Sequence, residues 1–509
     1  MANLKVEALK NIGSNWFGLA VTILVGFFLS PFILHRLGDA AFGLWVLVFS
    51  ITGYYGLFDL GIRTSLVKHV AKYGATSDYQ RMIRLINTSL FSYSILAIAL
   101  LSFTVLGSFY VDSIFRISPP FLRTARLLFL MAGSALAMGF PLSVYAGVLQ
   151  GLQKYYWLNI CQVVATVLRM LLIIVALNRG RGLLTIAFIT VSLPLLVSCI
   201  YIVIVRCLIP LRYGRQYVDK ETFRELMNYG AITFMIIVAE KLRFQSDAMI
   251  IGIFISAVAV TYFSVGSKLV DYAISIVDSM AEVIMPMSSH LDATGDTSRL
   301  KHLFIAGNRA CAMVIFPVCI IFVILGKPII QAWVGPQYVS SYTVLVLLIV
   351  PRTLYRAQGA STRILFGMSK HKALAYALVI EGVANLVFSI VLVRRFGIVG
   401  DAVGTAIPLL CTSLVFLPYY LCRLLNIGVW EFVSEAYTFP LAFCVPLLGV
   451  LLWMRHSFYP QHTVALLVQI LVGGTVYFSG VLWFFCTREP LGIAWRTRFT
   501  QHAQQFLGL

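Results

Sequence analysis

The sequence predicts an all-α integral membrane protein of about fourteen transmembrane helices, arranged as two six-helix lobes related by a parallel repeat plus two carboxy-terminal helices. Three observations predict it. Of 509 residues, 60% are apolar and only 12% charged; apolar runs of about 20 residues recur along the chain, each able to cross a hydrocarbon core as a helix; and the two halves echo one another. A soluble chain of this length would split into about two or three domains with charged surfaces between them.

In order, spans are expected near 14–34, 41–62, 86–110, 123–148, 156–178, 183–207, 229–254 and 257–286, then 303–325, 338–366, 373–393, 398–422, 436–454 and 463–486. The first run has no small-residue cleavage signal and is too long for a signal peptide, so it is expected to remain as a span. Basic residues then orient the chain, because short cytoplasmic loops hold Lys and Arg. One side carries Lys5, Lys10, Arg63, Lys68, Lys72, Arg81, Arg84, Lys154, Arg206, Arg212, Arg215, Lys220 and Arg224, followed by Arg299, Lys301, Arg363, Lys370, Lys372, Arg423, Arg488, Arg496 and Arg498. Both termini are accordingly expected in the cytoplasm.

The net charge of +19 superficially suggests nucleic acid, but its carriers are dispersed among loops instead of gathered on one face, so no nucleic-acid partner is expected. Membrane lipids are, since anionic headgroups attract the same loops. The nine cysteines fall singly, and no metal site, disulfide or cofactor is expected. His35, His69 and His371 read as solvated loop residues.

Repetition sets the class of membrane protein. Gly151, Lys154, Leu158, Val163, Val167, Ile174 and Val175 recur in register as Gly367, Lys370, Leu374, Val379, Val383, Ile390 and Val391, and Asn11 and Gly13 recur as Asn228 and Gly230. An even number of spans separates equivalent points, so the halves share one topology, a common transporter plan. The expected division is an amino-terminal lobe at 1–210, a cytoplasmic linker at 211–228, a carboxy-terminal lobe at 229–425, and two further helices with a tail at 426–509.

Charges inside spans mark a water-filled cavity, because an ionisable group at a helix centre costs roughly 2.5 to 3.5 kcal/mol on insertion scales. On the eighth span Ser264, Lys268, Asp271, Ser275, Asp278 and Glu282 share one face over about 27 Å of helix. Glu240, Arg243 and Asp247 share a face of the seventh; Arg352, Arg356 and Arg363 share one of the tenth, beside a Pro351 that can kink it; Thr52, Tyr55, Asp59 and Arg63 stripe the second; Arg169 stands alone on the fifth. Lys268 with Asp271, Asp59 with Arg63 and Glu240 with Arg243 can neutralise each other within one helix. Arg352 and Arg356 have no acid three or four residues away and stand uncompensated. Gly147 with Gly151 and Gly400 with Gly404 read as helix-packing pairs, and Tyr155, Tyr156, Trp157, Tyr419 and Tyr420 as interfacial anchors.

Ordered motifs now add a resemblance: Leu37-Gly38, Phe42-Gly43-Leu44-Trp45, Asp59-Leu60-Gly61 and Gln150-Gly151-Leu152-Gln153-Lys154, then Gln245, Asp247, Ile250-Ile251-Gly252, Tyr262, Lys268, Trp333-Val334-Gly335, Gly367 and Lys370. Over roughly residues 1–425 the chain resembles the Wzx-type polysaccharide exporters of the multidrug/oligosaccharidyl-lipid/polysaccharide superfamily. The resemblance implies a flippase that carries polyprenyl-pyrophosphate-linked oligosaccharide, an O-antigen or exopolysaccharide repeat unit, across the bacterial inner membrane by alternating access, with a polymerase or ligase as partner. A pyrophosphate needs cations, and a planar guanidinium suits it. Arg352 and Arg356 are the leading candidates, followed by Arg243, Lys268 and Arg63. Asp59, Asp247, Asp271 and Asp278 are the candidates for coupling to a proton or sodium ion.

Three rivals remain in view. A membrane-embedded polymerase or ligase would need a long catalytic loop outside, and no H-E-x-x-H, G-x-S-x-G or P-loop occurs, so no enzyme is expected. A drug exporter of the same superfamily would share the lobes, but organic cations favour an acid-lined cavity. A major-facilitator transporter has parallel halves too, and Gly56, Asp59, Gly61 and Arg63 faintly echo its loop signature without the basic tail.

Overall fold

In a computed structural model, which describes residues 2–460 and 462–487, helices follow one another along the chain with no strand among the described residues. The side chains of 2–12, 112, 228–233 and 484–487 are not described, which includes those of Lys5, Lys10, Asn11 and Asn228, and Arg488, Arg496 and Arg498 of the tail lie outside the described residues. The helices are α1 (Ala2–Leu37), α2 (Asp39–Gly53), α3 (Ile62–Ala75), α4 (Tyr79–Ile114), α5 (Leu122–Gly151), α6 (Tyr155–Asn178), α7 (Leu183–Leu208), α8 (Lys220–Phe244) and α9 (Ser246–Phe254). There follow α10 (Ala257–Ala281), α11 (Ile284–Ala293), α12 (Thr297–Val334), α13 (Ser341–Arg356), α14 (Gly359–Gly367), α15 (Lys372–Cys411), α16 (Leu417–Leu425), α17 (Val429–Ser457) and α18 (Thr463–Thr487).

Among the described residues, ten stretches are long and apolar enough to cross a membrane. One of them, Lys372–Leu425, is 54 residues long and turns at Gly397, whose φ of 60° breaks the helix, so it holds the two spans expected at 373–393 and 398–422. Spans expected at 229–254, 257–286 and 338–366 are helical as well, but too charged or too short to qualify by composition. Each is divided: α8 from α9 at Gln245, α10 from α11, and α13 from α14 beyond Arg356. The second expected span is divided too, where Leu60 and Gly61 both take left-handed backbone (φ 51° and 76°). Pro351 lies inside α13, which continues to Arg356; the break falls later than the proline.

Polar turns start several helices as the sequence directs. Asp78, Asp219 and Asp296 each accept a hydrogen bond from the backbone N–H three residues on, at 3.1, 3.0 and 3.0 Å, which satisfies a donor that has no partner within the helix. Large apolar side chains such as Phe28, Ile98, Phe109 and Trp483 stay exposed on helix flanks, as lipid contact requires and water would penalise.

Contacts divide the chain into two compact units, Met1–Ser264 with Ala375–Thr405, and Val265–Leu374 with Ala406–Leu509. In the first, α4 and α7 pack on α5 around a core that includes Leu66, Val70, Met82, Tyr93, Val148 and Val205. Gly147 and Gly151 are packing residues as expected: a Cβ on Gly151 would stand 2.7 Å from that of Val70. Gly43 is tighter still, for a Cβ there would overlap the Ala257 carbonyl at the start of α10, beside Thr261, whose hydroxyl donates to the Asp39 carbonyl at 2.7 Å. In the second unit the two final helices are integral. α17 runs against α12, Phe304 stacks on Phe432 at 4.4 Å between centroids, Arg455 donates to the Ile324 carbonyl at 2.8 Å, and Tyr477 donates to that of Met313 at 2.9 Å.

Gly43→Val is expected to destabilise the first unit by about 1 to 3 kcal/mol or more, through overpacking, whereas Gly139→Ala, which meets nothing within 4 Å, is neutral. Melting of the two purified variants in detergent checks this; equal melting temperatures would contradict the close α2–α10 approach.

Candidate functional site

Within the second unit, α10 and the α13–α14 pair face each other through a ladder of ion pairs. Lys268, Asp271 and Asp278 fall on one stripe of α10, and Glu282 follows directly after its last turn. From the other side Arg352 Nη1 reaches Asp271 Oδ1 at 2.6 Å, Arg356 Nη1 reaches Asp278 Oδ1 at 3.1 Å, and Arg363 Nη2 lies 3.9 Å from Glu282 Oε1. Arg352 and Arg356, uncompensated on their own helix, are thus compensated from another. Helical spacing selects the acids on α10, and the break after Arg356 does not carry Arg363 out of line. At every rung the arginine is the more buried partner: side-chain exposures are 6% against 60%, 23% against 32% and 31% against 67%. Long guanidinium stems lie along apolar surface while the short acids stay on the open side. Lys268 sits one turn before Asp271, its acidic neighbour.

The first unit holds a second, closed cluster. Arg243 does not pair with Glu240 within its helix; its Nε meets Glu381 Oε1 of α15 at 2.5 Å, and Asn385 Nδ2 donates to the Arg243 carbonyl at 3.2 Å. The turn at Gln245 ends the helix before Asp247, so the expected common face of Glu240, Arg243 and Asp247 is interrupted. Asp247 accepts a hydrogen bond from Thr405 Oγ1 at 3.2 Å, and Asp401 lies one turn before Thr405 on α15. Asp401 is wholly buried, and among the described residues neither of its carboxylate oxygens has a hydrogen-bond partner. Glu381, Asn385, Asp401 and Thr405 were not singled out from sequence. The available signal was a lone acid in each of two otherwise apolar spans, which insertion cost alone makes notable.

Asp59 and Arg63 do not form a helical stripe, since the left-handed Leu60 and Gly61 stand between them. Asp59 instead accepts from Tyr93 Oη and from the Arg63 backbone N–H, so the Asp59-Leu60-Gly61 motif is a capped turn. Neither Arg243 nor Arg63 belongs to the unit that carries the ladder.

His69 is not a loop residue. It lies within α3, outside the candidate spans, 6% exposed, with Nδ1 3.0 Å from Glu225 Oε1, and Tyr73 Oη donates to Glu225 Oε2 at 3.3 Å. Burial pushes the imidazole below its ordinary pKa, Glu225 opposes, and Lys68 and Lys72 push it further down. The net direction keeps His69 neutral in the fold near pH 7.

Comparisons with known proteins agree with this architecture. The family described as polysaccharide biosynthesis protein matches residues 8–292. A Shigella flexneri protein named as an O-antigen transporter is 19% identical over 425 residues, 81% of this chain and 97% of its own. Among solved structures, lipid II flippase MurJ in an inward closed conformation has a TM-score of 0.72 at 14% identity, covering 93% of this chain and 98% of that one. An inward-facing multidrug resistance transporter of the MATE family and MOP superfamily has a TM-score of 0.67 at 15% identity, with 80% and 95% covered. Identities this low establish the fold alone, and the fold is that of the superfamily the motifs resemble.

A histidine whose pKa is lower in the folded than in the unfolded state supports stability above about pH 6.5, its unfolded value, and withdraws that support as the pH falls toward the depressed value. Melting temperature is therefore expected to drop between pH 7.5 and 5.5 by less in His69→Gln than in the wild type. An identical drop in both would assign the acid sensitivity elsewhere.

Proposed function

Because the chain belongs to the polysaccharide biosynthesis protein family, as a multi-pass membrane protein with the fold of the MOP superfamily, we propose that it flips a polyprenyl-pyrophosphate-linked oligosaccharide from the cytoplasmic to the outer leaflet of a bacterial inner membrane by alternating access. The observation that carries this reading is the line of Arg352, Arg356 and Arg363 on α13–α14. Three guanidinium groups at about one-turn and two-turn spacing present donors suited to the adjacent phosphates of a pyrophosphate. Lys268 adds a point charge on the facing helix. The polyprenyl tail stays in lipid throughout, which leaves only headgroup and sugar to be accommodated in water. Both termini lie in the cytoplasm in this reading, so that the basic loops face anionic headgroups, and a polymerase or ligase takes up the delivered unit. Names of relatives point the same way: an O-antigen transporter in sequence and a lipid II flippase in fold.

Ion coupling is assigned to Asp247 and Asp401. Thr405, one turn after the buried Asp401 on α15, donates to Asp247, and carboxylates gathered in an apolar interior favour uptake of a proton or cation. Arg243, already committed to Glu381, organises this cluster and is not a substrate ligand in this assignment. Asp271 and Asp278, each on an arginine, belong to the headgroup site.

Organic-cation export by a MATE-like carrier is the second reading, favoured by the fold of that neighbour and opposed by the arginines. Proteoliposomes containing a fluorescent polyprenyl-pyrophosphate oligosaccharide separate the two. Arg352→Ala and Arg356→Ala are each expected to slow leaflet crossing roughly tenfold or more. Export of organic cations by a wild type that leaves the lipid-linked sugar in place would reverse the assignment. In the same vesicles, Asp401→Asn is expected to abolish stimulation by an imposed proton or sodium gradient while ungraded crossing persists; retention of the stimulation would remove the coupling role.

A further inference from the structure

At each rung of the ladder the acid is the exposed partner and the arginine the sheltered one. An ion pair built only for stability gains little from that asymmetry, since exposed carboxylates are screened and cheap to lose. It suits a pair that must open. A carboxylate with 60% or 32% of its side chain accessible, Asp271 or Asp278, can turn outward and be hydrated while the guanidinium stays where packing holds it.

Building on the flippase reading, we propose that Asp271 and Asp278 are place-holding counterions, which occupy Arg352 and Arg356 while the carrier is empty and yield them to the substrate's pyrophosphate when it is loaded. Phosphate and carboxylate oxygens are interchangeable acceptors for a guanidinium, so the exchange needs no new donor. An empty carrier must pass back through its occluded state with its arginines buried, and a buried cation without a counterion is strongly disfavoured. The acids remove that obstacle in the empty state. Once displaced, they lie beside the bound pyrophosphate as like charges, which limits its affinity and drives its departure at the far side. Three arginines against three acids leave each rung of the empty ladder paired. Glu282, at 3.9 Å from Arg363 and 67% exposed, is the weakest rung and the first to open.

The test measures binding and turnover separately. Farnesyl pyrophosphate serves as the soluble binding probe for the purified protein in detergent, and a fluorescent polyprenyl-pyrophosphate oligosaccharide reports crossing in proteoliposomes. Asp271→Asn and Asp278→Asn are each expected to tighten Kd for the probe roughly tenfold and to slow repeated turnover by a similar factor, while about one crossing per protein molecule survives. Glu282→Gln, the least demanding of the fold, shifts both in the same direction by less, and keeps the test standing if a central variant does not fold. Unchanged or weaker probe binding in every folded acid variant overturns the place-holding role. Should Arg352→Ala and Arg356→Ala bind the probe as the wild type does, the headgroup site itself is misplaced, an outcome distinct from the first.

Discussion

A guanidinium in an apolar helix needs a counter-charge, and the compensation of Arg352 by Asp271 across 2.6 Å is the constraint around which the second unit is organised. Neither helix could carry its charges alone into a membrane at modest cost. Paired across the two helices, Arg352 with Asp271 and Arg356 with Asp278 cancel, so α10 and α13 can be less apolar than the spans around them and still belong to the interior of a membrane protein. The same rule operates in the first unit, where Arg243 and Glu381 meet at 2.5 Å.

Interrupted helices accompany these charges. The four spans that carry most of the ionisable residues found within spans are divided, at Leu60–Gly61, at Gln245, after Ala281 and after Arg356. A broken helix frees backbone groups that lipid cannot satisfy, and such breaks persist only where protein or water supplies partners. Charges and breaks therefore share a requirement for a polar, protein-lined setting, and α18, which has no Asp, Glu, Lys or Arg, runs uninterrupted. The packing glycines belong to the same arrangement: Gly43 and Gly151 bring helices within backbone reach where the charged segments must be held still.

Much was legible in the sequence because the bilayer is a simple solvent. Apolar length located most of the spans, and the stripe on α10 was visible as helical spacing of Lys268, Asp271 and Asp278. Pairing was less legible. Asp59 and Arg63 looked like neighbours on one helix and are instead joined across a left-handed turn through the Arg63 backbone N–H, whereas Arg243, which looked paired with Glu240, meets Glu381. Asp401 and Glu381 passed unremarked because each is a single acid in an apolar run, and nothing local says what it meets.

By itself, then, the chain determined that it is a helical membrane protein and which residues are too costly to face lipid, since both follow from composition and a fixed helical period. Only the tertiary structure decided that each ladder arginine has an acid from another segment, that Arg243 is turned inward to Glu381, and that Asp247 is bonded to Thr405. Those choices depend on where helices bend and cross. They are decided by packing between segments far apart in the chain, a quantity that no local window of sequence contains.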